Sequence, residues 1–201
     1  MRYGFEQFLN IRSAYLPTFF PDGQALAVTF SGATTNPDLW LVESGYSRPR
    51  RIAVMGGSYG GLMVLAAITT YPDMWGAAAE LYGIANFETF LANTGPWRLK
   101  HRSAEYGDPE RDAGLLRRIS PIHNVDRITT PLIVVHGAND PRVPISETEQ
   151  IVDALRARQR TMEYIRFENE GHGIVKRHNR IRTYTTIADF LDRHIMEEGV
   201  A

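Results

Sequence analysis

The run Arg51-Ile52-Ala53-Val54-Met55-Gly56-Gly57-Ser58-Tyr59-Gly60-Gly61 decides how the rest of the chain is read. Residues 51–55 have strand character, the serine is flanked by glycines, and residues 62–70 continue as an apolar helix stopped by Pro72. A serine at such a strand-to-helix elbow takes a strained backbone conformation that lifts its hydroxyl above the sheet, and flanking glycines leave room for the adjoining backbone. The positive end of the helix points to the same place, where the N–H of Tyr59 can donate to a developing oxyanion. Taken alone, the run is equally a glycine-rich turn that only joins strand to helix. Its neighbours decide.

Working outward, residues 77–81, 132–136 and 162–167 read as further strands alternating with helices, the pattern of a parallel sheet with crossover helices. Their near-continuous apolar runs imply burial on both faces. Ser146 with Glu149 predicts a capping box for a helix carrying Ile151, Val152 and Leu155. In the last helix, Ile181, Tyr184, Ala188, Leu191 and Ile195 form the expected core stripe, with Arg182, Asp189 and Arg193 toward water. Residues 93–119 are charged and turn-rich, an irregular surface excursion with some helix. Upstream, residues 25–30 and 39–43 favour strand, with turns at Pro21-Asp22-Gly23 and Asn36-Pro37-Asp38. The chain is therefore expected to be α/β, with an all-β piece over residues 1–47 and a catalytic α/β domain over residues 48–201.

A serine hydroxyl is a poor nucleophile until a histidine takes its proton, and the resulting imidazolium needs a carboxylate to orient and stabilise it. The strand at 132–136 leads into Gly137-Ala138-Asn139-Asp140-Pro141-Arg142-Val143-Pro144, which puts Asp140 at the carboxyl edge of the sheet, where α/β folds collect their sites. On its own, Asp140 also fits a turn residue capping local backbone N–H groups. The last strand delivers Glu170-Gly171-His172-Gly173, and glycine on both sides frees the imidazole to reach the serine. His136 ends a buried strand and reads as structural, while His101, His123, His178 and His194 lie in charged or helical surroundings. The order Ser58, Asp140, His172 is that of an α/β-hydrolase and differs from the chymotrypsin and subtilisin orders.

Composition narrows the alternatives. With 22 Lys and Arg against 23 Asp and Glu, the formal charge of -1 offers no basic field for a nucleic acid. No cysteine is present to build a disulfide or a thiolate metal site. No histidine pair has metal spacing, and residues 56–61 match neither a dinucleotide nor a P-loop pattern, so the expected chemistry uses no metal and no cofactor. The first twenty residues lack the apolar stretch of a secretory signal and the longest apolar run is too short for a bilayer span, so a soluble, cytoplasmic protein is expected, with no membrane partner.

Together, Gly56-Gly57-Ser58-Tyr59-Gly60-Gly61, Ser120-Pro121-Ile122, the 136–144 run and Glu170-Gly171-His172-Gly173 resemble the prolyl oligopeptidase family of serine peptidases, over residues 48–196. The resemblance implies that Ser58 attacks the carbonyl, His172 shuttles the proton, Asp140 orients the histidine and Tyr59 supplies one oxyanion N–H. It also implies that Arg142 binds a substrate carbonyl; without it, Arg142 reads as a solvated turn residue. The implied substrate is a short or acylated peptide, cleaved through an acyl-enzyme. Residues 1–47 resemble a fragment of one blade of the β-propeller that precedes the catalytic domain in this family. The family's early strands, with the loop carrying a second oxyanion donor, are missing between that fragment and Ser58. The strand at 51–55 is therefore expected to show a bare edge, open to self-association unless the upstream strands pair with it. Two other readings remain: a catalytically impaired or inactive remnant, and a carboxylesterase using the same triad.

Overall fold

The computed structural model describes residues 14–19, 26–30 and 49–195, the first two stretches as backbone only. Strands β1 (Ala14–Phe19), β2 (Leu26–Phe30), β3 (Ala53–Gly57), β4 (Ala77–Leu81), β5 (Leu132–Gly137) and β6 (Met162–Phe167) form one sheet in that spatial order. Pairing is parallel from β2 to β6, and β1 runs antiparallel to β2.

Two layers of helix follow from the two-residue period of the strands. In β5, Val134 points to one face, where α1 (Tyr59–Thr70) and α5 (Ile145–Ala157) bring Leu65, Ile68, Ile151 and Leu155. Ile133 and Val135 point to the other face, against Ile187, Phe190 and Leu191 of α6 (Arg177–Ile195). Every residue of β4 and β5 is buried, as their apolar runs predict. Complete burial of each such Leu, Ile or Phe contributes roughly 1.5–3 kcal/mol. Parallel pairing also collects the carboxyl ends Gly57, Leu81, Gly137 and Phe167 along one rim of the sheet.

Several expectations are corrected. β3 is not an edge strand, because Ala27, Val28 and Thr29 of β2 pair with Ala53, Val54 and Met55, so the expected self-association through a bare β3 edge loses its basis. The strand antiparallel to β2 is β1; the run at 39–43 and the turns at 21–23 and 36–38 lie outside the described residues. α5 begins at Ile145 with Pro144 at its N-cap and no side-chain cap bond, so Ser146 falls inside the first turn and the expected capping box is not formed. Glu149 instead pairs with Arg166 at 2.6 Å. The core stripe of α6 keeps Leu191 and Ile195 but runs through Asn179, Thr183, Ile187 and Phe190, leaving Ile181 and Tyr184 57% and 51% exposed and Ala188 exposed.

The 93–119 excursion is ordered and mostly helical. α2 (Phe87–Ala92), α3 (Pro96–Tyr106) and α4 (Ala113–Ile119) close over a third apolar cluster that includes Leu62, Ile84, Phe87, Phe90, Leu116 and Val143. Ser120 locks this region by donating its hydroxyl to Leu116 O at 2.6 Å and accepting from the N–H of Phe87 at 2.9 Å. The excursion thereby becomes one wall of a cleft above the sheet rim.

Candidate active site

Ser58 sits between β3 and α1 with φ 58° and ψ -119°, a left-handed conformation for a residue with a side chain. Such a conformation costs on the order of 1–3 kcal/mol and persists because its surroundings over-determine it. Its N–H is held by Leu81 O at 2.9 Å and its carbonyl accepts from Leu62 N at 3.2 Å. Close packing explains the glycines. A Cβ on Gly56 would press into the carbonyl of Gly60, and one on Gly57 would meet the hydroxyl of Tyr82 at 2.8 Å. Tyr59 is the first residue of α1, so its N–H is among those without an intrahelical acceptor and points from the helix's positive end.

The three side chains expected to act together are in contact. His172 Nε2 lies 2.8 Å from Ser58 Oγ, and its Nδ1 lies 2.7 Å from Asp140 Oδ2. The other carboxylate oxygen, Oδ1, accepts the N–H groups of Arg142 at 2.7 Å and Val143 at 3.0 Å. Burial alone would raise the pKa of Asp140, but hydrogen bonds from His136, His172, Val143 and Arg142 outweigh it and hold the carboxyl well below its ordinary range. Asp140 is thus an anion at neutral pH, already surrounded by donors.

Three supports escaped the sequence reading. His136 is fully buried, with Nε2 3.3 Å from Asp140 Oδ2 and 3.1 Å from Val143 O, and Nδ1 2.6 Å from Thr148 Oγ1. Two acceptors facing Nε2 require the proton there, so His136 donates toward the same carboxylate as His172. Glu170 is buried beneath the 171–176 loop and accepts from Val175 N at 3.2 Å, Lys176 N at 3.0 Å and Asn179 Nδ2 at 2.7 Å. Tyr82, at φ 42° after β4, packs in a T-shaped arrangement with the His172 ring, the ring centroids 5.1 Å apart, in the space left by Gly57. The signals were present in part: His136 is four residues before Asp140, and Glu170 two before His172.

The cleft over Ser58 encloses about 480 Å³. Tyr59, Ile84, Phe90, Tyr106 and Val143 give it an apolar side, and α3 contributes Trp97, Arg98, His101, Arg102 and Glu105. Arg142 lines it too. Arg102 ties the two walls together: its guanidinium lies 4.0 Å over the Phe90 ring, donates to Thr94 Oγ1, and donates to Arg142 O at 2.6 Å. No group of three or more His, Cys, Asp or Glu is arranged to hold a metal ion among the described residues. No helix among them is long and apolar enough to cross a membrane.

Comparison with known proteins agrees with this architecture. The profile of the prolyl oligopeptidase family matches residues 38–198. The chain is 37% identical over 145 residues to dipeptidyl aminopeptidase BIII of Pseudoxanthomonas mexicana, covering 70% of this chain and 21% of that protein. It is 33% identical over 161 residues to dipeptidyl peptidase family member 6 of Caenorhabditis elegans, covering 77% and 22%. Among solved structures, a Mycobacterium tuberculosis puromycin-hydrolyzing peptidase superposes with a TM-score of 0.76 at 29% identity, over 82% of this chain and 25% of that one. The Pyrococcus horikoshii acylaminoacyl peptidase, at 22% identity and a TM-score of 0.71 over 82% and 27%, shares the fold. The chain thus spans about a fifth of the length of these curated relatives.

Proposed function

Because the chain belongs to the prolyl oligopeptidase family, we propose that it is a serine peptidase that cleaves short or acylated peptides through an acyl-enzyme, with Ser58, His172 and Asp140 as its triad. The observation that carries this reading is the unbroken contact from Ser58 Oγ to His172 Nε2 at 2.8 Å and from His172 Nδ1 to Asp140 Oδ2 at 2.7 Å.

In this reading Ser58 Oγ bonds to the scissile carbonyl carbon while its proton passes to His172 Nε2, and the carbonyl π pair moves to oxygen. The N–H of Tyr59 donates to that oxyanion, and the positive end of α1 adds to its stabilisation. Asp140 remains ionised beside the imidazolium. When the carbonyl re-forms, the C–N bond breaks and the leaving amine takes the proton from His172, leaving an ester on Ser58. A water then gives its proton to His172 and attacks the ester, and the acid is released as Ser58 recovers its proton. The apolar side of the cleft would take up a peptide side chain, and Arg142 a substrate carbonyl.

Labelling by a fluorophosphonate probe, together with hydrolysis of short peptide anilides, tests the proposal on the 201-residue chain. The expected result is labelling and turnover, both abolished by Ser58→Ala. A folded chain that neither labels nor cleaves would remove the peptidase reading.

A further inference from the structure

The whole chain carries a formal charge of -1, yet its cleft is cationic. Three guanidiniums, Arg98, Arg102 and Arg142, line it beside Ser58 and face one carboxylate, Glu105. They differ in what they already hold. Arg102 is consumed by its bonds to Thr94 and Arg142 O and by the Phe90 ring. Arg98 lies 5.0 Å over the Trp97 ring and makes no ion pair among the described residues, and neither does the side chain of Arg142. Other arginines of the chain, such as Arg50, Arg117, Arg166 and Arg193, do have carboxylate partners. Burial first, and then the charge of Arg98, lower the pKa of Arg102, against raising by Tyr106, Glu105 and Asp140.

A guanidinium with no carboxylate partner among the described residues, lying over an aromatic ring in the lining of the cleft, presents a planar fork that a carboxylate can meet with two hydrogen bonds. We propose that the cleft selects peptides bearing a carboxylate close to the scissile bond, with Arg98 as the principal receptor and Arg142 reinforcing it. This rests on the peptidase reading for the site, and extends it to the substrate class. Either an acidic side chain or a free C-terminus supplies that chemistry. Peptides with a cationic residue in the same place are repelled.

Calorimetric titration of the Ser58→Ala chain separates these cases, using four acetylated tetrapeptides that differ in one group. They are a Gln-containing amide, the matching Glu amide, the matching Lys amide, and the Gln peptide with a free C-terminal carboxylate. The expected result is binding about tenfold tighter than the neutral amide, one charge-assisted contact's worth, for the Glu amide if a side chain is read or for the free acid if the terminus is read. The Lys amide binds weakest, and the differences shrink in about 1 M salt, where screening acts within roughly 3 Å. Arg98→Gln abolishes the preference and Arg98→Lys keeps part of it. Equal affinity for neutral and acidic peptides, absence of binding to all four, or a preference that survives Arg98→Gln would overturn the proposal. Fluorophosphonate labelling of the unmutated chain is read separately: labelled Ser58 with no charge preference removes only the substrate class, and charge-selective binding without labelling removes only the peptidase.

Discussion

The imidazole of His136 shares Oδ2 of Asp140 with that of His172, at 3.3 Å against 2.7 Å. A buried carboxylate that anchors one histidine is itself anchored by another, and Thr148 and Val143 O fix the second ring in turn. The acid therefore has one orientation before any substrate arrives, which is the condition for an imidazolium to be stabilised without reorganisation.

Replacing His136 by Leu removes a donor to Asp140 and leaves Thr148 Oγ1 unpaired. We expect kcat to fall by about tenfold, a loss near 1.4 kcal/mol of transition-state stabilisation, with KM little changed. His136→Gln, which keeps a donor near the same place, restores part of it. Steady-state kinetics on one peptide anilide across the three proteins checks this, with thermal melts to confirm that each is folded.

Glu170 holds the loop that carries His172, through Val175, Lys176 and Asn179. Glu170→Ala releases that loop, and misplacement of a reacting group by about 1 Å costs on the order of 10²-fold in rate. The fluorophosphonate labelling rate should drop by this amount while circular dichroism remains that of the parent protein.

Glu80 is a buried carboxylate that no step of the proposed chemistry uses. Burial raises its pKa to about 7, against lowering by the charge of His136 and by the N–H of Gly83. The folded state thus holds a proton that the unfolded state releases near the ordinary value of 4.5, so stability falls as pH rises between about 4.5 and 7 and stays lower above. Glu80→Gln keeps the acceptor for Gly83 and removes the charge. The variant should gain up to about 3 kcal/mol over the parent at pH 8 and nearly nothing at pH 4, as measured by urea unfolding at both values.

At Gly56, an added methyl group would press against the carbonyl of Gly60, which is backbone and cannot swing away. Gly56→Ala should cost about 1–3 kcal/mol, the usual penalty for overpacking, and displace the Ser58 elbow. The melting temperature and the labelling rate should both fall. By contrast Gly114, where an added Cβ meets nothing within 4 Å, should accept alanine with both unchanged.

The exposed half of α6 shows why one pattern misled. Ile181 and Tyr184 fit an apolar stripe by spacing, yet Asn179 and Thr183 are the buried residues of that half. Asn179 faces inward because Glu170 and Asn169 accept from its amide, so a polar contact to the loop of His172 sets the rotation of the first turns. Spacing counts apolar residues and cannot weigh a hydrogen bond to a distant loop. The same limit applies to α5, where Glu147, not Ser146, organises the start. Its carboxylate accepts from Asn86 N at 2.9 Å and from Thr89 Oγ1 at 2.6 Å, across more than fifty residues of chain.

The sequence by itself determined the elbow at Ser58, the loops of Asp140 and His172, their order, and the alternation of strand and helix that puts all three on one rim. These depend on local geometry: glycines at a tight turn, apolar runs buried on both faces, and parallel strands that all end on the same side. Only the tertiary structure decided that β2 closes the edge of β3, that α3 forms a cationic wall of the cleft, and that His136, Glu170 and Tyr82 brace the contact between Ser58, His172 and Asp140. Each of those depends on which residues far apart in the chain come into contact, and such contacts leave no periodic trace in either partner alone.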